Sequence, residues 1–481
     1  MNQEESIALY KKGIDAWNKW ANEMLAQKKA LEDDKQWQID VFGEGGNDST
    51  KNWIQKASVD FSGYVFEQNT SFASHTFPYA TNFSKSKFEG GITSFQHSEF
   101  KGNTLFIGAE FNSNDTIFEV TKFHSNVKFY NTFFNGNVSF NFAEFRCSAG
   151  FNNAIFQGCE FYDTEFHDVA TFVGSKFVER VNFHKARFHS GASFERSEFE
   201  SKATFIETNF IDSSDFTGAT FNNIADFYKT TFCMVVFKEA YFKKRVSFDE
   251  VIFEKESSFV AMNAQSFFSL EGTKFHFVPD FSQANFTQAP QFDATDFSHA
   301  RKLEQYDKSL NLAARWRSLK RLAAQNHDRE HESIFFIEEI KSKRWKQYIP
   351  IFDPMYWFEW LYGVFSDFGR SVFRPLCWLI VVTFIYFGIY IASDTESDAV
   401  IFPVCNRVEA AVYLSVRSAL PFSVTHSDKL TQGYSCLYGK DIEGKAIMPN
   451  KIVFFGFSQT ILSAILIFLS LLALRNHFKI S

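Results

Sequence analysis

Between Phe61 and Phe297 a phenylalanine returns every five or six residues with almost no interruption. Through the middle of this stretch, at Phe172, Phe177, Phe183, Phe188, Phe194, Phe199, Phe205 and Phe210, the steps alternate five and six. Two residues ahead of each Phe stands a small or β-branched residue: Ala170, Ser175, Val181, Ala186, Ala192, Ser197, Ala203 and Thr208. Neither the helical period nor simple strand alternation produces this pattern. A coil of short straight sides does, if each side turns one Phe and one smaller residue toward the axis. Four sides close a turn, and stacked turns share a core that no single unit possesses. The pattern predicts a mainly β solenoid over residues 57–300 of about eleven turns, roughly 50 Å long at the parallel-strand spacing. The six-residue steps imply a bulge at alternate corners. From Met262 to Leu270 no Phe holds the expected position, so a local irregularity is expected there, inside the coil.

The period changes on both sides of this stretch. Residues 4–34 read as one amphipathic helix, with Ile7, Tyr10, Ile14, Trp17 and Met24 or Leu25 on a shared face, within an N-terminal capping segment 1–42. Residues 43–50 read as a loop. After Phe297, residues 301–346 predict two helices, about 302–326 and 330–346. An aromatic, proline-broken segment then completes a connector, 301–374, whose amphipathic last part leads into the membrane. In residues 375–481 two long apolar runs, 376–392 and 452–474, can each cross a hydrocarbon core, with a short helix from Arg407 to Leu420 between them.

Units such as "ATFVGSKF" and "ADFYKTTF" resemble pentapeptide repeats, and the resemblance implies a right-handed quadrilateral β-helix. "DAWNKW" (Asp15 to Trp20) resembles the helix that precedes such repeats in many proteins of this kind. Trp17 and Trp20 are expected to pack against the first coil rather than to bind a ligand. The stretch Trp360 to Pro375, the phrase "AAVYLSVRSALPFSV" from Ala410 to Val424 and the C-terminal run are similar to the membrane module of pentapeptide-repeat membrane proteins. That module is in turn similar to a two-helix ion-channel domain, which implies an oligomeric pore. A TVGYG-like filter strand does not follow the short helix, so potassium selectivity is not implied.

Charge sets the orientation. Arg370 and Arg374 precede the first span, Arg475 and Lys479 follow the second, and Asp394, Glu396 and Asp398 come directly after the first. Positive-inside bias places both termini in the cytoplasm, 393–451 outside, and the spans in the inner membrane. The polar start predicts no signal peptide, so the solenoid is expected to stay cytoplasmic. Cys405 and Cys436 would then be the cysteines in an oxidising compartment, and are expected to form a disulfide. Gly456, Gln459, Ser463 and Ser470 share a face of the second span, and Ser415 and Ser418 lie on the short helix. These six positions either face a pore axis or bond neighbouring helices.

The net charge of −7, with acidic residues exceeding basic ones by about nine over residues 61–300, does not suggest nucleic-acid binding. His327, Glu330 and His331 spell HxxEH, but without a third ligand the spacing is read as structural, and no enzyme activity, metal or cofactor is expected. The expected partners are the lipid bilayer, further copies of the chain, and a protein on the solenoid. Two functions remain open, an oligomeric pore and a membrane-anchored scaffold.

Overall fold

The structure, a computed structural model, describes residues 1–39, 46–300, 311–346, 354–393, 406–420, 427–440 and 444–478. The chain divides into two units, Met1–Lys346 and Gln347–Ser481.

The first unit is a four-sided β-solenoid. Most sides carry a strand of only two residues, paired in parallel with the equivalent side of the coil before and the coil after. Phe166, for example, lies in register with Phe145 and Phe188. Register places ring over ring, and four columns of phenylalanines result. One runs from Phe61 through Phe172 to Phe281 in ten stacking steps. The expected eleven turns are therefore about ten. Centroids in this column stand 4.6–5.4 Å apart. Rings of facing columns meet edge to face, as Phe183 does with Phe172 at 5.6 Å and 86°.

Side length dictates the corners. A five-residue side that leaves Phe172 turns through Gly174 (φ 65°), and the Ser175 amide donates to the Phe172 carbonyl at 3.0 Å. The same turn follows Phe183, with Lys185 at φ 61°. Positive φ at the third position and a bond from the fourth to the first define a type II turn. Register shifts occur between Phe134 and Asn137 and between Phe210 and Ser213. At both places a six-residue corner lies under a five-residue one, so the bulges mark a change of side length rather than every alternate corner.

Small inward positions carry their own ladder. The buried Ser175, Ser197 and Thr208 hydroxyls donate to the carbonyls of Phe151, Phe172 and Phe183, at 2.6, 2.7 and 2.7 Å. The irregularity near Met262 is an exchange of sizes. Ala264 lies in register with Phe242, at a Phe position, while Phe268 lies in register with Val246, at a small-residue position. Phe268 is fully buried and touches Phe248 and Phe286, so the volume lost at one site is supplied from the next side.

Helices close both ends. The expected single helix 4–34 is two, α1 (Gln3–Tyr10) and α2 (Ile14–Asp33), because Gly13 takes φ 87° between them. Ile14 consequently points outward. Trp17 is fully buried over Phe61 and its indole donates to the Thr76 carbonyl at 2.9 Å, so its role is packing. Part of the expected loop is instead α3 (Asp48–Ala57), which Trp53 ties to the Met24 carbonyl at 2.8 Å.

At the other end stand α4 (Leu312–Gln325) and α5 (Arg329–Lys346). Trp316 and Phe335 cover Phe297. The nearly buried Arg315 reaches the Val278 carbonyl (3.0 Å) and Asp280 (3.4 Å), pinning α4 to the last coils. His327 sits at φ 57° in the turn before α5, and His331 bonds Asp328 at 2.7 Å, so HxxEH does not form a helical zinc pair. On α5, Glu339 is buried. Burial alone would raise its carboxyl, but Lys320 (2.5 Å), Lys343 (2.8 Å) and Arg317 (2.9 Å) hold it at about 2.

Two outcomes test this packing. Ala264→Phe is expected to cost about 1–3 kcal/mol by overpacking and Phe268→Ala about 3–5 kcal/mol by cavity formation. The double variant should lose less than the sum, by roughly 0.5–3 kcal/mol, in urea unfolding. Glu339 has a depressed folded-state pKa, so its contribution is present above the ordinary carboxylate value and fades as pH falls toward 2. Glu339→Gln should cost roughly 3 kcal/mol at pH 7, with the gap to wild type about halved at pH 3.

Candidate functional site

The second unit is helical. An amphipathic helix, α6 (Pro354–Ser366), exposes Trp357, Phe358 and Trp360. Asp367, Phe368 and Gly369 follow in the left-handed region, at φ 50°, 55° and 79°. The Ser366 hydroxyl accepts from the Gly369 amide at 3.0 Å. A Cβ on Gly363 would stand 2.9 Å from the Phe368 ring, so this glycine is needed for the ring to close over α6. The turn delivers the chain into α7 (Phe373–Ala392), whose Pro375 falls in the first turn, where no amide partner is lost.

Two helices are long and apolar enough to cross a membrane, α7 and the N-terminal 26 residues of α10 (Asn450–Phe478). Their most apolar windows are only 17% and 28% buried, unlike the core helices of a soluble domain. The outward residues are apolar throughout the span centres: Ile380, Phe384 and Ile385 on α7, Phe457, Ile461, Ile465 and Phe468 on α10.

Between them lies α8 (Arg407–Ala419), started by Asn406, whose side chain accepts from the Val408 and Glu409 amides. It packs against α7, α10 and a further helix, α9 (Ser427–Tyr438). Polar contacts join these elements. Gln459 is fully buried; its amide nitrogen donates to the Ser415 carbonyl at 2.8 Å, and its oxygen accepts from the Tyr390 hydroxyl at 3.3 Å. Ser415 donates onward to the Thr383 carbonyl at 2.6 Å. Tyr386 meets Ser458 at 2.8 Å, and Tyr438 donates to the Tyr390 carbonyl at 3.1 Å. Burial pushes the Tyr438 phenol up to about 12, which keeps that proton in place.

The remaining sequence candidates fall around this knot. A Cβ on Gly456 would stand 3.3 Å from the Tyr390 hydroxyl, so the glycine lets α7 and α10 approach. Ser418 lies beside the same hydroxyl. Ser463 is buried with its hydroxyl unbonded, and Ser470 donates to Leu466 of its own helix at 3.0 Å. Cys436 lies on α9 and is disulfide-bonded. Cys405 lies outside the described residues. Tyr386, Tyr390 and Tyr438 were not singled out by sequence; the spacing of Tyr386 and Tyr390 on α7, four residues apart, was the available signal, and Tyr438, on α9, left none.

Residues 151–198 match a family model described as pentapeptide repeats (9 copies). No curated protein matches the chain, and no solved structure does.

Gln459→Leu keeps the volume but removes both bonds. It is expected to cost roughly 1–2 kcal/mol in detergent unfolding and to speed amide exchange in α8. Unchanged exchange there would remove Gln459 from its locking role.

Proposed function

We propose that the protein is a membrane-anchored scaffold, in which α7 and α10 fix it in a bilayer and the pentapeptide-repeat solenoid presents flat faces to a protein partner. The observation that carries this reading is the division of polarity in the second unit. Gln459, Ser415 and Tyr390 spend their hydrogen bonds on one another and on backbone within one chain, while the span faces left outside are apolar. Apart from the unbonded Ser463 hydroxyl, the polar groups named on this helix pair have partners within the chain, as a lipid environment requires. Basic residues before α7 and after α10 support cytoplasmic termini and a cytoplasmic solenoid in the inner membrane, with 393–451 outside. An oxidising exterior suits a Cys405–Cys436 staple.

A second reading, an oligomeric pore, draws on the order of elements. Span, short helix and span are arranged with α8 wedged against both α7 and α10, and α8 leaves Val412 and Val416 exposed for contact with another copy.

The test is fractionation together with conductance. The full chain is expected to remain in carbonate-washed membranes, whereas residues 1–346 should be soluble with a β-rich circular dichroism spectrum. In planar bilayers the purified full chain is expected to be silent. Discrete currents from a ring-sized particle, altered by Gln459→Leu, would replace the scaffold with the pore.

A further inference from the structure

On one side of the solenoid, the residues flanking the Phe166–Phe188 step carry side chains with no part in the core. Glu165 and His167 flank Phe166, and His189 follows Phe188 one coil later. Strand register fixes their separation, because Glu165 is paired with Arg187 and Phe166 with Phe188. The two imidazoles consequently stack, with centroids 4.8 Å apart and planes 14° apart.

Their Nε2 atoms converge on one carboxylate oxygen. His167 Nε2 stands 3.3 Å from Glu165 Oε2, and His189 Nε2 stands 3.9 Å from the same atom. The other oxygen, Oε1, is held by the Arg187 guanidinium at 2.6 Å. That bond orients the carboxylate and leaves Oε2 for the imidazoles. His189 Nε2 is itself buried and has no hydrogen-bond partner, which is costly for a polar atom unless something else occupies its lone pair. All three ligand atoms lie within 4.8 Å of one another. Donors about 2.0–2.2 Å from a tetrahedral zinc stand roughly 3.3–3.5 Å apart, so to form a coordination tripod the two imidazoles would close by about an ångström and tilt toward each other from their near-parallel planes.

We infer that Glu165, His167 and His189 form a binding site for a divalent transition ion of the zinc class. Two imidazoles and one carboxylate favour such an ion over magnesium or calcium, which take oxygen ligands. Three protein ligands leave a coordination position open. Glu144, whose Oε1 is 3.5 Å from His167 Nε2, or a water can fill it. Because the ligands come from consecutive coils on a half-exposed face, the ion would clamp the two coils and offer its open position to a partner's carboxylate or imidazole. Another pair of neighbouring imidazoles, His276 and His299 (centroids 4.7 Å apart, planes tilted by 34°), is not part of a ligand group of this kind among the described residues, and provides a control.

The test uses the full chain, purified without a histidine tag in detergent, stripped with chelator and titrated with Zn²⁺ against a chromophoric competitor. One equivalent is expected to bind in wild type and in His276→Gln. His167→Gln and His189→Gln should each weaken it by more than about 100-fold, beyond what loss of a supporting contact costs. Co²⁺ substituted for Zn²⁺ should show nitrogen and oxygen ligation without a thiolate charge-transfer band, which separates this site from the cysteines. Circular dichroism checks that the variants keep the coil, with Glu165→Gln as a second variant of the same site. No retained zinc in wild type, a thiolate band, or an unaltered affinity in the doubly substituted His167→Gln, His189→Gln protein would overturn the assignment.

Discussion

Parallel strand pairing sets coils about 4.8 Å apart, and parallel phenyl rings that stack with a lateral offset have their centroids at nearly that distance. The whole first unit depends on this coincidence. Because the backbone ladder and the ring stack share one spacing, Phe172 can sit on Phe151 and under Phe194 while its strand pairs fully with both neighbours. Offset parallel stacking and edge-to-face contact are the two favoured aromatic geometries, and each ring has both, the second from contacts across the axis such as Phe183 against Phe194 at 5.5 Å. A smaller residue in a column leaves a gap that the ladder cannot close by moving coils together. Hence Ala264 is tolerated only where Phe268 arrives from the adjoining side.

The same coupling explains why the coil could be read from sequence and other parts could not. A side length of five or six, a Phe and a small residue two positions ahead leave a local trace in every unit, so each repeat confirms the last. The bulges were only half visible. They depend on whether the corner one coil away has the same length, which places Phe134–Asn137 and Phe210–Ser213 outside any local rule. In the N-terminal segment, Gly13 was present as a helix breaker, yet hydrophobic spacing across it still suggested one helix. The start of α3 looks like a loop because Asn47, its cap, and the following Asp48, Ser49 and Thr50 are residue types that also favour turns; its partners, Trp37, Tyr79 and Met24, come from distant positions.

In the second unit the two helices long and apolar enough to cross a membrane were legible from apolar length, while the meaning of their polar residues was not. A glutamine, serines and a glycine at helical spacing announce a face that avoids lipid. Whether that face meets water or protein turns on groups far away in sequence: the Tyr390 hydroxyl, the Ser415 carbonyl and the room left at Gly456. A side-chain amide carries two N–H donors and an oxygen acceptor, and Gln459 places one N–H and its oxygen on partners inside the chain. Bonds that close within one chain fit the anchor reading.

Closed ends constrain how the solenoid can be used. The first and last coils would otherwise present unpaired strands, the usual route to end-to-end growth. Trp17 covers one end, and Trp316 with Phe335 covers the other, with Arg315 bonded to Val278 and Asp280 beneath α4. Contact with another molecule is thereby directed to the flanks. On a flank, equivalent residues repeat every coil at the strand spacing, so charge and ligand types form columns just as the rings do. Glu165 bonded to Arg187 in register, and His167 over His189, show the consequence: a chemistry that needs two or three side chains at fixed separation arises from neighbouring repeats without any loop to position it.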